Sequence, residues 1–465
     1  MHYIESGVLS DIEEIESVEL SDSVCEIDGS CFNNCPNLKN VVLPLFLKRI
    51  GEYSFYGSPI ETIYCRSNRP PFREDNDNTF DRPFIDNIKI FVPEQSVNQY
   101  RTAPFWKKYS ENIEGYVYDD IDFYTSYDYS ADGVISTIQT ASEGLGVNIV
   151  IMGDGFSDRQ IADGTYASVM QKAADALFSE EPYKTYKDYF NVYSVNVVSV
   201  TEGYNKNGQA LKSWFGEGTS VGGNNSEVIS YAMKAISEEK IDEAIILVIM
   251  NADVYAGTCY MYDGPWGDYG RGLSIAYFPA IKNMETFKGV VLHEAGGHGF
   301  AKLADEYSYE YMGRVTSDII DDIRKKEPHG WWCNVDFTSD PNLVKWGHFV
   351  GGRYANENVG CYEGGLTYWS GVWRPTEASI MRYNTGGFNA PSRYAIWYRI
   401  GKLAYGESWN GTYEDFVTYD AINRTQASEA RRRAQRRNYV QKPLPQLPPP
   451  VVIRHSWKEE LKKTQ

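Results

Sequence analysis

A period of 23 residues fixes what the first part of this 465-residue chain can fold into. Val18-Glu19-Leu20 recurs as Val41-Val42-Leu43, Ile27 as Ile50, and Cys31-Phe32 as Ser54-Phe55, each at the same offset. A constant period in the twenties with apolar positions in phase is the pattern of a leucine-rich-type solenoid, in which each unit buries its apolar face only against its neighbours. Such an array needs an end piece. The stretch 88–113 is expected to be that end piece. Residues 1–113 are therefore expected to form a short solenoid with a C-terminal cap. The acidic, Tyr-rich stretch 114–133 is expected to be a connecting strand or linker.

Beyond it the periodicity changes. Asn148–Met152 reads as a buried strand ended by Gly153-Asp154-Gly155, and 191–198 alternates as a strand should. Ala244–Met250 is wholly apolar and is expected at the centre of a sheet. Helices are expected near 166–178 and 224–238. Strands alternating with helices indicate an α/β sandwich over 134–424. Asp154 is expected to serve structure, capping the backbone that follows it.

Charge narrows the function. Lys+Arg number 45 against 63 Asp+Glu, a net charge of −18, so phosphate would repel the chain and nucleic acid is not an expected partner. The stretch 425–465 runs against this trend: it is basic and Pro-rich, with ARRRAQRR at 430–437 and LPPP at 447–450, and is expected to be a solvated, disordered tail. No apolar run reaches transmembrane length, and the acidic start is not that of a signal peptide. Seven cysteines form neither a dense disulfide framework nor a CxxC pattern. A disulfide among Cys259, Cys333 and Cys361 stays open, as does a place for His329 and His348 along a cleft.

The chemistry concentrates in residues 290–307. An apolar run leads into His293, Glu294 and His298. Two imidazoles beside a carboxylate are the donors and the base of a zinc hydrolase site. The spacing is HExxxH rather than HExxH. On a regular helix five residues turn the chain by about 500°, leaving the two rings about 140° apart. A π-bulge brings i and i+5 nearly into line, and Gly296-Gly297 between them lowers the cost of irregular backbone. The third ligand is expected from Asp305 or Glu306, with Asp305 favoured and Glu306 then orienting a histidine ring. On a continuous helix both would lie about 10–12 Å beyond His298, so the chain is expected to turn after Gly299.

Downstream, Ala378-Ser379-Ile380-Met381-Arg382-Tyr383-Asn384 resembles the Met-turn of the metzincin peptidases. That resemblance implies Met381 as a floor beneath the zinc and Tyr383 as a transition-state donor. More broadly, 147–156, Glu181-Pro182-Tyr183, 189–192, 247–255 and above all His298–Tyr307 resemble the IgA-peptidase family of zinc metallopeptidases. The repeats resemble the leucine-rich repeats of surface proteins from gut and oral bacteria. Together these resemblances imply a metzincin-like domain behind a leucine-rich-repeat solenoid, in a secreted or surface-held bacterial protease with a protein or peptide substrate. The expected activity is zinc-dependent endopeptidase cleavage by activated water, with Glu294 as general base and Zn²⁺ held by His293, His298 and Asp305 or Glu306. The alternative is a surface binding protein that holds a host or matrix protein through the repeats, its metal domain structural or inactive.

Overall fold

The computed structural model describes residues 3–71, 79, 88–118, 124–204, 208–263, 272–423 and 445–462. The chain divides into two compact units. One comprises Met1–Thr125, Thr201–Gly208 and Ala252–Tyr255; the other comprises Ser126–Val200, Gln209–Asn251 and Ala256–Gln465.

In the first unit the strands β1 (Ser17–Glu19), β2 (Asn40–Leu43), β3 (Thr62–Cys65), β4 (Lys89–Pro93) and β5 (Ile113–Tyr116) lie side by side in chain order. All their pairings are parallel. Val18 faces Val41, and Val41 faces Ile63. A second parallel sheet stacks Tyr3–Ile4, Glu26–Ile27 and Arg49–Ile50. Side chains repeat the step. Asn34 donates to Asp11 at 2.7 Å, and the Leu45 amide donates to Asp22 at 2.7 Å, each across 23 residues. The phased apolar positions are the core: Ile27, Val41, Ile50, Phe55 and Ile63 are buried, and Phe32 stacks on Phe55 with ring centroids 5.3 Å apart. At the end of the array Tyr100, Trp106 and Tyr109 are buried; the Tyr100 hydroxyl donates to the Ser67 carbonyl and the Trp106 indole to that of Pro71. Residues 119–123 of the expected linker lie outside the described residues, and 113–116 forms β5.

The second unit is built on a seven-stranded mixed sheet. In chain order its strands are β6 (Ile135–Gln139), β7 (Val147–Asp154), β8 (Phe190–Val195), β9 (Ile245–Met250), β10 (Thr258–Tyr262), β11 (Ser274–Pro279) and β12 (Val451–Ile453). Their spatial order is β12-β10-β11-β9-β7-β8-β6. The all-apolar β9 takes the middle place, parallel to β7 and β11. Every residue of β7, β9 and β11 is buried, as strands covered on both faces must be. The helices α1 (Thr165–Leu177) and α2 (Asn225–Ala235) bury apolar stripes. The antiparallel β10 would be the sheet's edge but for β12, which pairs with it in parallel.

That pairing corrects the expectation of a solvated tail over 445–462. Leu447 is buried, Val451–Ile453 joins the sheet, and α3 (Trp457–Lys462) plants Trp457 in the structure, its indole donating to Asp242 at 2.6 Å. Isolated apolar residues in a proline-rich, basic stretch do not form a periodic pattern, so the segment's role shows only in its partners. The basic run 430–437 lies outside the described residues. Among the described residues no helix is long and apolar enough to cross a membrane.

Candidate metal centre

After β11, Asn283 caps a helix, Met284–Val291, by accepting from the Thr286 amide at 3.0 Å. The helix then widens. Leu292–Phe300 is a nine-residue π-helix, longer than the single bulged turn expected. The i to i+5 winding sets the two imidazoles on one side. His293 Nε2 and His298 Nε2 lie 3.0 Å apart.

The glycines serve chiefly to let neighbours approach. A Cβ on Gly297 would run into Met381 Sδ, and one on Gly299 would come 2.5 Å from Ile245 Cδ1. The chain turns past Phe300, where Lys302 takes a left-handed φ of 54°. Its ammonium is buried, donating to the Gly272 carbonyl at 2.7 Å and to Ser274, with the Trp331 ring 5.2 Å away. The turn returns Asp305 to the histidines: Oδ1 lies 3.1 Å from His293 Nε2 and 3.3 Å from His298 Nε2. His293, His298 and Asp305 could together hold a metal ion. All three are essentially solvent-free, at 0%, 0% and 1% exposure, which places the cluster out of reach of bulk water.

The donor set fits a cation. His293 Nδ1 lies 3.0 Å from the Ile380 carbonyl oxygen, and His298 Nδ1 lies 2.7 Å from that of Leu303. A carbonyl only accepts, so each Nδ1 carries a proton, and with a cation bound each ring would turn an unprotonated Nε2 inward. Two lone pairs and a carboxylate oxygen then face one another within about 3 Å, an arrangement that a positive ion satisfies. Among the described residues, no hydrogen bond of ordinary length reaches Asp305 Oδ2 or either oxygen of Glu294, all of them buried. Burial pushes the Glu294 carboxyl up to about 8; the neighbouring His293 opposes this and Asp305 adds to it. Burial also raises Asp305, but the two histidines outweigh it and hold its carboxyl below the usual range.

Glu306 does not join the cluster. It accepts from Ser379 at 2.6 Å, from Asn334 at 3.0 Å and from Asn389 at 3.0 and 3.2 Å, while its amide donates to the Met381 carbonyl. Burial raises its pKa against those bonds. It thus ties the ligand loop to the Met381 segment and orients no histidine; backbone carbonyls of Leu303 and Ile380 do that. Met381 is fully buried against Gly297. Tyr383 is half-buried, with the Arg382 guanidinium 4.8 Å from its ring centroid, and among the described residues no hydrogen bond joins it to the cluster.

Asp154 is fully buried and accepts from Gly155, Ser199, Leu211 and Ser213, binding three loops together. His348 is exposed against Phe349 and Tyr413, and His329 sits in a separate turn. Cys259, Cys333 and Cys361 carry free thiols. One neighbour escaped the sequence reading. Tyr307, two residues after Asp305, is buried beside it and donates its hydroxyl to the Leu447 carbonyl at 2.6 Å.

The family model described as IgA Peptidase M64 matches residues 135–355. That described as BspA type Leucine rich repeat region matches residues 1–114 in six copies. The Met381 segment lies beyond the first match. No curated protein matches the chain.

Proposed function

We propose, from the match of residues 135–355 to the IgA Peptidase M64 family model and of 1–114 to BspA-type leucine-rich repeats, that the chain is a zinc-dependent endopeptidase of metzincin-like fold with a short solenoid in front. His293, His298 and Asp305 would hold the zinc. Bound there, zinc supplies Lewis acidity, lowering the pKa of water and polarising a carbonyl.

The chain's own residues do the rest. The Ile380 and Leu303 carbonyls fix both imidazoles in the ligand tautomer. Met381 closes the underside, its close approach allowed by Gly297. Glu294, one residue from a ligand, is the general base: it takes a proton from the attacking water and returns it to the leaving amine. Burial raises its pKa, and a cation held by the neighbouring ligands would oppose that shift and keep the carboxylate available to accept a proton.

The observation that carries this reading is the convergence of three buried ligand atoms next to a buried glutamate. A purely structural zinc site closes with four protein ligands and needs no base. The test is Glu294→Gln in the zinc-loaded chain, assayed on an unfolded protein substrate. Cleavage should fall by about 10²–10⁴-fold with zinc content unchanged. Wild-type cleavage by the Gln variant would overturn the mechanism. For the repeats we propose the capture of a protein ligand, on the strength of their match to a surface-protein repeat type and not of any contact described above.

A further inference from the structure

The side chains of the candidate cluster and of Glu294 are all buried, yet a peptidase must admit a chain. What lies across the sheet beside it is the protein's own C-terminal segment. At Gly257, the residue before β10, a Cβ would stand 2.9 Å from Glu294 Cγ, so this strand starts beside the proposed general base. Its outer edge is taken by β12, with Tyr260 facing Val451, Met261 facing Val452 and Tyr262 facing Ile453. The segment is gripped mainly by its backbone. Thr219 Oγ1 donates to the Gln446 carbonyl at 2.8 Å, Tyr307 to that of Leu447 at 2.6 Å, and the Asp263 amide to that of Ile453 at 2.9 Å. Of its side chains only Leu447 is fully buried; Pro445 and Pro449 are exposed. An edge strand that holds an extended chain by main-chain bonds, with one pocket for an apolar side chain, is how a peptide groove accepts varied sequences.

We propose that residues 446–453 are a resident occupant of the substrate groove. The chain is held in check by its own C-terminal segment, and a substrate must displace it as an extended peptide carrying a bulky aliphatic residue in the place of Leu447. The inference rests on the peptidase reading for its consequence and on the β10 edge for its geometry. Each bond named is to the occupant's backbone, so an incoming peptide can take the same bonds in turn. Trp457, seated on Asp242, keeps the displaced segment tethered nearby.

The test compares wild-type and Leu447→Asp chains, both zinc-loaded, by steady-state cleavage of an unfolded protein and by fluorescence anisotropy of a labelled peptide of sequence 445–453, PQLPPPVVI. A tethered competitor raises apparent KM by the ratio of its effective concentration to its own Kd, so releasing it should lower KM by about tenfold with kcat unchanged. The peptide should bind the variant, restore the wild-type KM and fail to bind the wild type. Equal KM in both chains, with the peptide bound by neither, overturns the proposal. As a second route, a site for an unrelated sequence-specific protease inserted after Arg437 lets the chain be severed with the occupant's sequence intact. A fall in KM on dilution of the severed chain supports the proposal. A segment that stays bound while KM holds, or a loss of zinc and cleavage together in both altered chains, makes 446–453 a structural strand and overturns it. Peptide binding to the variant without cleavage by either chain would leave the groove standing and remove the peptidase reading.

Discussion

Both units lay parallel strands side by side, but they specify the contacts differently. In the repeat unit each strand meets the like strand of the next repeat, 23 residues on from Val18 to Val41, 22 from Val41 to Ile63 and 27 from Ile63 to Ile90, so similar apolar contacts recur. A defect there weakens one interface among several like it. In the sheet unit the metal cluster draws on 293, 298, 303, 305 and 380, and the edge strand pairs Tyr260 with Val451. Each of those contacts occurs once. The repeat unit can lose a position gradually, whereas the cluster can be broken by a single atom.

The largest effect should separate two adjacent carboxylates. Asp305→Ala removes an oxygen facing both histidines, and zinc affinity should fall by more than about 100-fold, since even groups standing behind metal ligands are worth 10–100-fold. Glu306→Gln disturbs a network of Ser379, Asn334 and Asn389. It should cost about 1–3 kcal/mol of stability, with zinc affinity changed less than tenfold. Competition against a chromophoric chelator reads both. A larger zinc defect in the Glu306 variant than in the Asp305 variant would reverse the ligand assignment.

The next pair sets the units directly against each other. Gly297→Ala drives a Cβ into Met381 Sδ beneath the cluster, and Gly51→Ala drives one into the backbone of Asp28 and Gly29 between repeats. Each clash should cost about 1–3 kcal/mol in its own unit, or more where the backbone cannot shift. Only Gly297→Ala should weaken zinc binding and cleavage. Thermal unfolding with zinc titration checks this, and loss of cleavage in the Gly51 variant would break the separation.

What was legible in the sequence follows the same division. A repeated environment leaves a repeated residue type, so the period of 23 named the buried positions of the first unit, including the stacked Phe32 and Phe55. In the second unit the residues of the candidate cluster were also visible, because HExxxH and the acid after it lie within 13 residues. What stays hidden is supplied by backbone or by distant chain. The carbonyls of Leu303 and Ile380 have no residue signature. The turn at Lys302 is set by a buried ammonium and not by a glycine. Gly297 was read as easing the winding, whereas its missing Cβ makes room for a sulfur 84 positions away. Leu447, in a stretch expected to be solvated, lies against Tyr307, 140 positions earlier. Pattern reports what is local or repeated, and this site is closed by contacts that are neither.

The smallest expected effect concerns a residue that pattern did name. Tyr383 sits two positions after Met381, where the metzincin resemblance puts a transition-state donor. The segment does reach the cluster, but through other atoms: the Ile380 carbonyl and the Met381 side chain make its contacts, while the Tyr383 ring lies against Arg382. A donor to the developing oxyanion must point at the reacting carbonyl, and removing one costs about 10²–10³-fold in kcat. Tyr383→Phe deletes only the hydroxyl, so it should change kcat by less than about threefold with KM unaltered, a difference below 1 kcal/mol. A hundredfold fall in kcat at constant KM would show that the Met381 segment repositions when a peptide fills the groove. Local sequence order would then have described the loaded site better than the contacts of the free chain do.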